Sequence, residues 1–151
     1  MNENYHYRDC GLPNVYLKNG YSIEEHEEYG ELVSIENLEN LHKVIGLNIV
    51  KNSVPLMSGA EFRFLRIELD LSQKALGDLI GVTDQTVANY EKDEPKAMAD
   101  KFLRIMYKEN VCGNTEVMES LQRLNKLDRD ITEHQRLIEL EETDNNWAIA
   151  A

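Results

Sequence analysis

The chain has 151 residues, of which 42% are hydrophobic and 29% charged, and its formal net charge at pH 7 is −12. This apolar content argues against a wholly disordered chain, and the length suggests one ordinary domain or two small ones. No apolar run approaches the ~20 residues that span a bilayer, and the polar N-terminus holds no signal-peptide stretch, so we expect no membrane contact and a cytoplasmic location.

The N-terminal part of the chain predicts short β structure. Asn19-Gly20 separates two β-prone runs, residues 15–18 and 21–23. This dipeptide favours the type I′ turn of a hairpin, because both turn positions need positive φ. The acidic residues 24–31 indicate a solvated loop or hairpin end, and the sheet is expected to resume at residues 32–33.

A helix is predicted next, over residues 35–51, with Ser34 as its cap. Apolar side chains at helical spacing would line one face: Leu38, Leu41, Val44, Ile45 and Ile49. Residues 52–57, which include Pro55, predict a break before the next unit.

The central segment, residues 58–109, predicts three helices in close succession. Ser58, Ser72 and Thr83 each stand where a hydroxyl can accept a hydrogen bond from the exposed amides of a first helical turn. Gly81 can end the second helix in the left-handed conformation, and Gly77 lacks a side chain where the second and third helices approach. The residues expected to face inward are apolar: Phe62, Leu65, Leu69, Leu76, Leu79, Ile80, Val87 and Tyr90.

Two short helices joined through a glycine turn form a helix-turn-helix, whose second helix lies in the DNA major groove. The segment resembles the Cro/repressor-like (Xre-type) helix-turn-helix family over about 40 residues. The residues that carry the resemblance are Leu71-Ser72-Gln73, Leu76, Gly81-Val82, Val87 and Glu91. The resemblance implies a lambda-repressor-like bundle of about five helices, a homodimer and a palindromic operator. It also implies an ion pair between Arg66 and Glu91.

Candidate DNA-binding residues lie at the start of the third central helix. They are polar and not required by the core: Thr83, Asp84, Gln85, Thr86 and Asn89. By the resemblance, Gln73 contacts phosphate and sometimes a base, and Lys92 contacts phosphate.

Two of these residues, Gln85 and Asn89, stand four apart on one helix face, and amides suit the N6 and N7 atoms of adenine. Thr86 is placed for a thymine methyl group or a phosphate. Asp84 suits either the cytosine amino group or the positive end of the helix dipole, and we favour the second role.

The C-terminal part of the chain predicts two more helices and a hairpin. Residues 97–107 place Met98, Phe102, Ile105 and Met106 at helical spacing, which is typical of a core face. Residues 111–113 break the chain, and residues 115–127 form a second amphipathic pattern that carries Val117, Met118, Leu121, Leu124 and Leu127. Alternation over residues 136–141, then Asp144-Asn145-Asn146, then residues 147–149 predicts a C-terminal hairpin.

The predicted fold is therefore mainly α with small β parts. It comprises an N-terminal α+β unit over residues 1–57, the helix-turn-helix domain over residues 58–109, and a helix with a hairpin over residues 110–151. Formal charges in these segments are −5, −2 and −5. The acidic residues are thus concentrated in the flanks, which could meet a basic partner protein or weaken non-specific DNA binding.

The sequence leaves three functions open. The first is a transcriptional repressor that binds double-stranded DNA. The second is an antitoxin that also represses its own transcription and whose acidic flanks bind a basic toxin, since the layout is similar to MqsA-type antitoxins. The third is a protein-interaction module on a helix-turn-helix scaffold, which the net charge and Asp84 favour.

An enzyme is not expected, because the chain has no phosphate-binding loop, nucleophile elbow or paired metal-ligand motif. Cys10 and Cys112 are far apart and are expected to be reduced thiols. The zinc-binding Cys-x-x-Cys pairs of MqsA-type antitoxins are missing, since Cys10 is the only N-terminal cysteine, so we predict no metal and no other cofactor.

Overall fold

The computed structural model describes residues 4–130 and 137–150, with the side chains of residues 125–130 left out. The fold is mainly α with small β parts, as predicted. Its helices are α1 (Leu38–Asn52), α2 (Gly59–Glu68), α3 (Gln73–Ile80), α4 (Asp84–Lys92), α5 (Ala97–Val111) and α6 (Glu116–Asp130). Its strands are β1 (Tyr5–His6), β2 (Tyr16–Leu17), β3 (Tyr21–His26), β4 (Gly30–Ile35), β5 (Leu140–Thr143) and β6 (Asn146–Ile149).

The N-terminal strands pair differently from the prediction. The hairpin expected across Asn19-Gly20 is wrong, because β2 pairs with β1 and β3 pairs with β4, both antiparallel. β3 finds apolar cross-strand partners in β4, where Ile23 lies opposite Val33. Gly20 has a φ of 79°, and its carbonyl accepts a hydrogen bond from the amide of Glu36, which closes the base of the second hairpin. The resumed strand at residues 32–33 is confirmed as part of β4.

α1 begins three residues later than predicted. Ser34 and Ile35 pair with β3, so Ser34 does not cap the helix, and Asn37 takes that role by accepting from the amide of Asn40. Ile49 is buried on the predicted apolar face, but Leu38 and Val44 are exposed. The predicted break follows at residues 53–58.

The three predicted caps of the central helices are confirmed. The hydroxyl oxygen of Ser58 accepts from the amide of Glu61 at 3.1 Å, and the Glu61 carboxylate accepts from the Ser58 amide at 2.8 Å, which makes a reciprocal capping box. Ser72 accepts from the amide of Ala75 and Thr83 from the amide of Thr86. Local side-chain chemistry therefore sets where α2, α3 and α4 begin.

The central helices share one core, and two glycines shape the turn between α3 and α4. The fully buried side chains include Phe62, Leu65, Leu76, Val87 and Leu103. Gly81 ends α3 with a φ of 80°. A Cβ atom at Gly77 would lie 2.5 Å from the carbonyl oxygen of Val82, so this glycine permits the close approach of the turn that leads into α4.

The core face of α5 differs from the prediction. Met98 and Ile105 were expected in the core but are 77% and 55% exposed. Met106 is buried and Phe102 packs against the core, as predicted, and Leu103 and Tyr107 complete the buried side of the helix. Met98 and Ile105 each precede a buried residue, Ala99 and Met106, so these two lie about 100° away from the buried side of a helix with 3.6 residues per turn. Periodicity correctly indicated the helix and part of its core face.

α6 forms as predicted, and the C-terminal hairpin forms with a later first strand: β5 begins at Leu140, residues 137–139 are not in a strand, and residue 136 lies outside the described residues. Val117, Met118 and Leu121 of α6 pack against the core, while Leu124 is exposed, and the side chain of Leu127 lies outside the described residues. β5 and β6 pair antiparallel across Asp144 and Asn145, which have φ values of 52° and 66°. Positive φ at both turn positions is the requirement of a type I′ turn.

An arginine on α5 ties the end of α1 to the helix-turn-helix region. Arg104 Nη1 donates to the carbonyl of Val50 at 2.9 Å, and Nη2 donates to the carbonyl of Ser53. Asp100, which is buried, accepts from Arg104 Nε at 2.6 Å and from the amide of Met57 at 2.7 Å. The pair thus satisfies both the last carbonyls of α1 and the linker that follows.

A second set of polar contacts joins Tyr7, ahead of β2, to the end of α2. The Tyr7 hydroxyl lies 2.7 Å from His42 Nε2, and His42 Nδ1 lies 2.6 Å from Glu68 Oε1. Burial raises the pKa of Tyr7.

No helix in the described part of the chain is long and apolar enough to cross a membrane.

Candidate nucleic-acid interface

α4 has one buried face and one free face. Val87 is fully buried on the inner face, where α4 packs against α2 and α3. Tyr90 is half-buried and meets the Phe62 ring edge-on, with ring centroids 5.8 Å apart. The opposite face carries Asp84, Gln85 and Asn89, all exposed. The packing of α4 therefore leaves its polar residues accessible.

Two amides on the free face of α4 are bonded to each other. Gln85 Nε2 donates to Asn89 Oδ1 at 3.1 Å. This bond leaves the Gln85 carbonyl oxygen as an acceptor and the Asn89 amide nitrogen as a donor, both on the exposed side. An adjacent donor and acceptor are what the major-groove edge of adenine requires.

The first turn of α4 holds the other three candidate residues of this helix. The hydroxyl groups of Thr83 and Thr86 lie 2.9 Å apart, and Thr83 also caps the helix. Asp84 Oδ1 accepts from the amide of Gln85 at 2.8 Å, so its carboxylate already serves an exposed amide of the helix N-terminus. This contact favours the helix-stabilising role of Asp84.

The predicted pair between Arg66 and Glu91 is confirmed. Arg66 Nε and Nη2 donate to the two oxygens of Glu91 at 2.7 and 3.1 Å, which is the bidentate arrangement. The side chains are 11% and 6% exposed. Arg66 Nη1 also donates to the carbonyl of Leu71, so the same guanidinium holds the loop between α2 and α3.

Glu91 also holds the candidate residue on α3. Gln73 Nε2 donates to Glu91 Oε1 at 3.2 Å, which brings the start of α3 to the end of α4. Arg63 Nε lies 3.8 Å from the same oxygen, and its side chain is 57% exposed. Sequence analysis did not select Arg63. Its spacing of three residues from Arg66 on α2 was the available signal, since residues three apart share a helix face.

Lys92, the last residue of α4, is exposed and directly follows Glu91. A rise of 1.5 Å per residue places it about 12 Å along the helix from Asp84. Among the described residues it has no ion pair, and Asp93 and Glu94 follow it directly. The structure therefore brings together Thr83, Asp84, Gln85, Thr86 and Asn89 on one helix, ties Gln73 to them through Glu91, and leaves Lys92 at the far end.

The described residues contain no group of three or more His, Cys, Asp or Glu side chains placed to hold a metal ion. Cys10 is half-buried and Cys112 is exposed.

Residues 62–106, from α2 to α5, match a family model described as helix-turn-helix. No curated protein and no solved structure matches the chain significantly.

Proposed function

We propose that this chain represses transcription by binding a palindromic operator as a homodimer. Residues 62–106 form a helix-turn-helix domain of the Cro/repressor-like (Xre) type, a domain of DNA-binding regulators. The observation that carries the proposal is the free polar face of α4. Its Gln85–Asn89 pair presents a donor and an acceptor together, as base readout requires.

In the proposed complex, α4 lies in the major groove and reads bases through Gln85 and Asn89. Thr83 and Thr86 contact a thymine methyl group or the adjoining phosphates. Asp84 serves the helix N-terminus and discourages loose binding, because a carboxylate repels phosphate. Gln73 and Lys92 contact the phosphate backbone near the C-terminal end of α4.

The acidic chain limits non-specific affinity, which rests on contacts between cations and phosphates. Residues 58–109 carry a net charge of −2, against −5 in each flank. Recognition therefore depends on base contacts more than on charge. A homodimer doubles the number of base contacts, because two α4 helices about 34 Å apart read two half-sites.

The homodimer is tested by sedimentation with and without operator duplex, which measures the stoichiometry. A stable monomer in both samples would reject the dimer.

The function is tested by selecting duplexes from a randomised pool with the full chain. We expect an enriched inverted repeat, and the variant Gln85→Ala should bind it roughly tenfold more weakly or worse, since one good base contact is worth ~1–3 kcal/mol. Gln122→Ala, the same change at an exposed position of α6, is the matched control and should bind as the parent chain does.

A salt series on the selected duplex completes the test. The log–log slope of the affinity should be about −0.9 per phosphate neutralised. A chain that enriches no sequence at any salt concentration would instead be a protein-interaction module.

A second proposal concerns a basic protein partner, as in a toxin–antitoxin pair. Glu25 lies directly opposite Glu31 across the β3–β4 hairpin, and like charges in this position are destabilising. No Lys or Arg occurs between Lys18 and Lys43. A cationic surface would relieve this repulsion.

The partner proposal is tested with the product of the adjacent gene, if that product is basic. Co-purification should be lost in the double variant Glu25→Gln/Glu31→Gln and retained in Glu139→Gln/Glu141→Gln, which neutralises as much charge near the C-terminal hairpin. Equal retention of both variants would contradict the proposal.

A further inference from the structure

An apolar cleft is lined by residues of α3, α5 and α6, by the turn between α3 and α4, and by Tyr90 of α4. It has a volume of about 440 Å³, and its walls include Leu79 of α3, Val82 of the turn, Phe102 of α5 and Leu121 of α6. Sites for small ligands are typically concave, mostly apolar and ~300–1,000 Å³ in volume. The cleft has the size and lining of such a site.

One charged residue lines this cleft. Of the described lining residues, Lys96 alone carries a charge, and Tyr90 is the other one with a polar side-chain group. Within the described part of the protein, neither side chain has a hydrogen bond or an ion pair. An unpaired ammonium group beside an apolar cleft can form a charge-assisted hydrogen bond with the anionic end of a ligand.

We propose that this cleft binds a small carboxylic acid with an apolar body, whose chain lies against Phe102 and Leu121 and whose carboxylate pairs with Lys96. Val82 and Tyr90 place the ligand in contact with α4 and the turn that precedes it. Under the operator proposal, on which this last step rests, such a ligand is an effector. The binding itself is independent of DNA.

The probe is sodium octanoate, titrated into the full chain without DNA and followed by amide chemical shifts. We expect saturable shifts at Val82, Phe102 and Leu121 with a Kd on the order of 1 mM, the affinity that about ten non-hydrogen atoms supply. Lys96→Gln should weaken octanoate binding roughly three- to tenfold and leave 1-octanol binding unchanged. The control Lys101→Gln removes the same charge from an exposed position of α5 and should change neither.

A cleft-filling variant, Leu121→Trp, should abolish the binding of both probes. Because Lys96 and Lys101 are exposed, their variants keep the test decisive even if Leu121→Trp does not fold. Absent or non-saturable shifts, shifts located elsewhere, or equal octanoate affinity in Lys96→Gln and the parent would each overturn the proposal. None of these results bears on operator selection, so the two proposals fail separately.

Discussion

Glu91 Oε2 lies 2.7 Å from Arg66 Nε, so a partly buried ion pair joins the last turn of α4 to the last turn of α2. The same carboxylate accepts a hydrogen bond from Gln73 at the start of α3. One acidic side chain therefore sets the mutual placement of all three helices at the proposed DNA interface.

Removing one partner of this pair should destabilise the domain strongly. Glu91→Leu leaves the Arg66 guanidinium without its carboxylate, and we expect a fall of about 3–5 kcal/mol in the free energy of unfolding, measured by urea denaturation. The double variant Arg66→Leu/Glu91→Leu should cost less than the sum of the two single variants, because no charge is left unpaired.

The control for this double-mutant cycle is the exposed ion pair of Lys74 and Asp78 on α3, in which Lys74 Nζ lies 3.4 Å from Asp78 Oδ2. Lys74→Gln should change stability by less than about 1 kcal/mol. Strict additivity in the Arg66–Glu91 cycle would show that the pair contributes no coupling.

Gly77→Ala should disturb the turn that leads into α4. A Cβ atom 2.5 Å from the Val82 carbonyl oxygen forces the backbone to shift, and we expect a loss of roughly 1–3 kcal/mol despite the better helix propensity of alanine. Gly81→Asn in the same turn is the control. A side chain there meets open space, and asparagine tolerates the left-handed conformation, so its effect should be smaller. The opposite ranking of the two variants in thermal melts would contradict the geometry.

Stability should fall at high pH because of Tyr107. Burial, with a smaller contribution from the charge of Glu68, raises the pKa of Tyr107 to about 12 from 10.0. Its contribution is fully present below pH 10 and is lost as the pH rises towards 12, since the unfolded chain releases its proton first. The loss is at most about 2–3 kcal/mol.

Tyr107→Phe isolates this contribution. The substitution removes only a long hydrogen bond, 3.4 Å, to the carbonyl of Lys43. The free energy of unfolding of the parent, measured in urea from pH 9 to 12, should fall relative to that of Tyr107→Phe once the pH passes 10. Parallel curves would exclude Tyr107 as the source.

Asp84→Ala should tighten DNA binding without changing its specificity. The Asp84 carboxylate bonds the amide of Gln85, so we assign it to the helix N-terminus rather than to a base. Loss of a negative charge near phosphates should strengthen binding to selected and random duplexes alike, by roughly threefold. Relaxed preference at a single operator position would instead identify Asp84 as a reader of bases.

The parts of the fold predicted correctly from sequence depend on local chemistry. The Ser58, Ser72 and Thr83 caps each bond an amide three residues away, and Gly81 supplies its own left-handed turn. Such contacts can be predicted from a short stretch of sequence, because both partners lie within it. The Arg66–Glu91 pair spans 25 residues and followed only from a family resemblance.

The errors have non-local causes. Asn19-Gly20 has the residues typical of a hairpin turn, but β3 pairs with β4, which follows it in the chain, and places Ile23 opposite Val33. Met98 and Ile105 have helical spacing, yet which of two adjacent stripes faces inward depends on the neighbouring helices. The polar face of α4 was predictable. The Gln73–Glu91 bond was not, because it depends on how α3 and α4 pack.

The hydrogen bonds that Arg104 makes to the end of α1 limit where a stable fragment of this protein can begin. A fragment that begins at Ser58 would keep Arg104 and Asp100 but lose the carbonyls of Val50 and Ser53 and the amide of Met57. Its truncated edge would expose donors and an acceptor that the intact chain satisfies. The shortest fragment that preserves this junction therefore begins before α1, so a recombinant piece cut to the helix-turn-helix match alone would be less stable than the full chain.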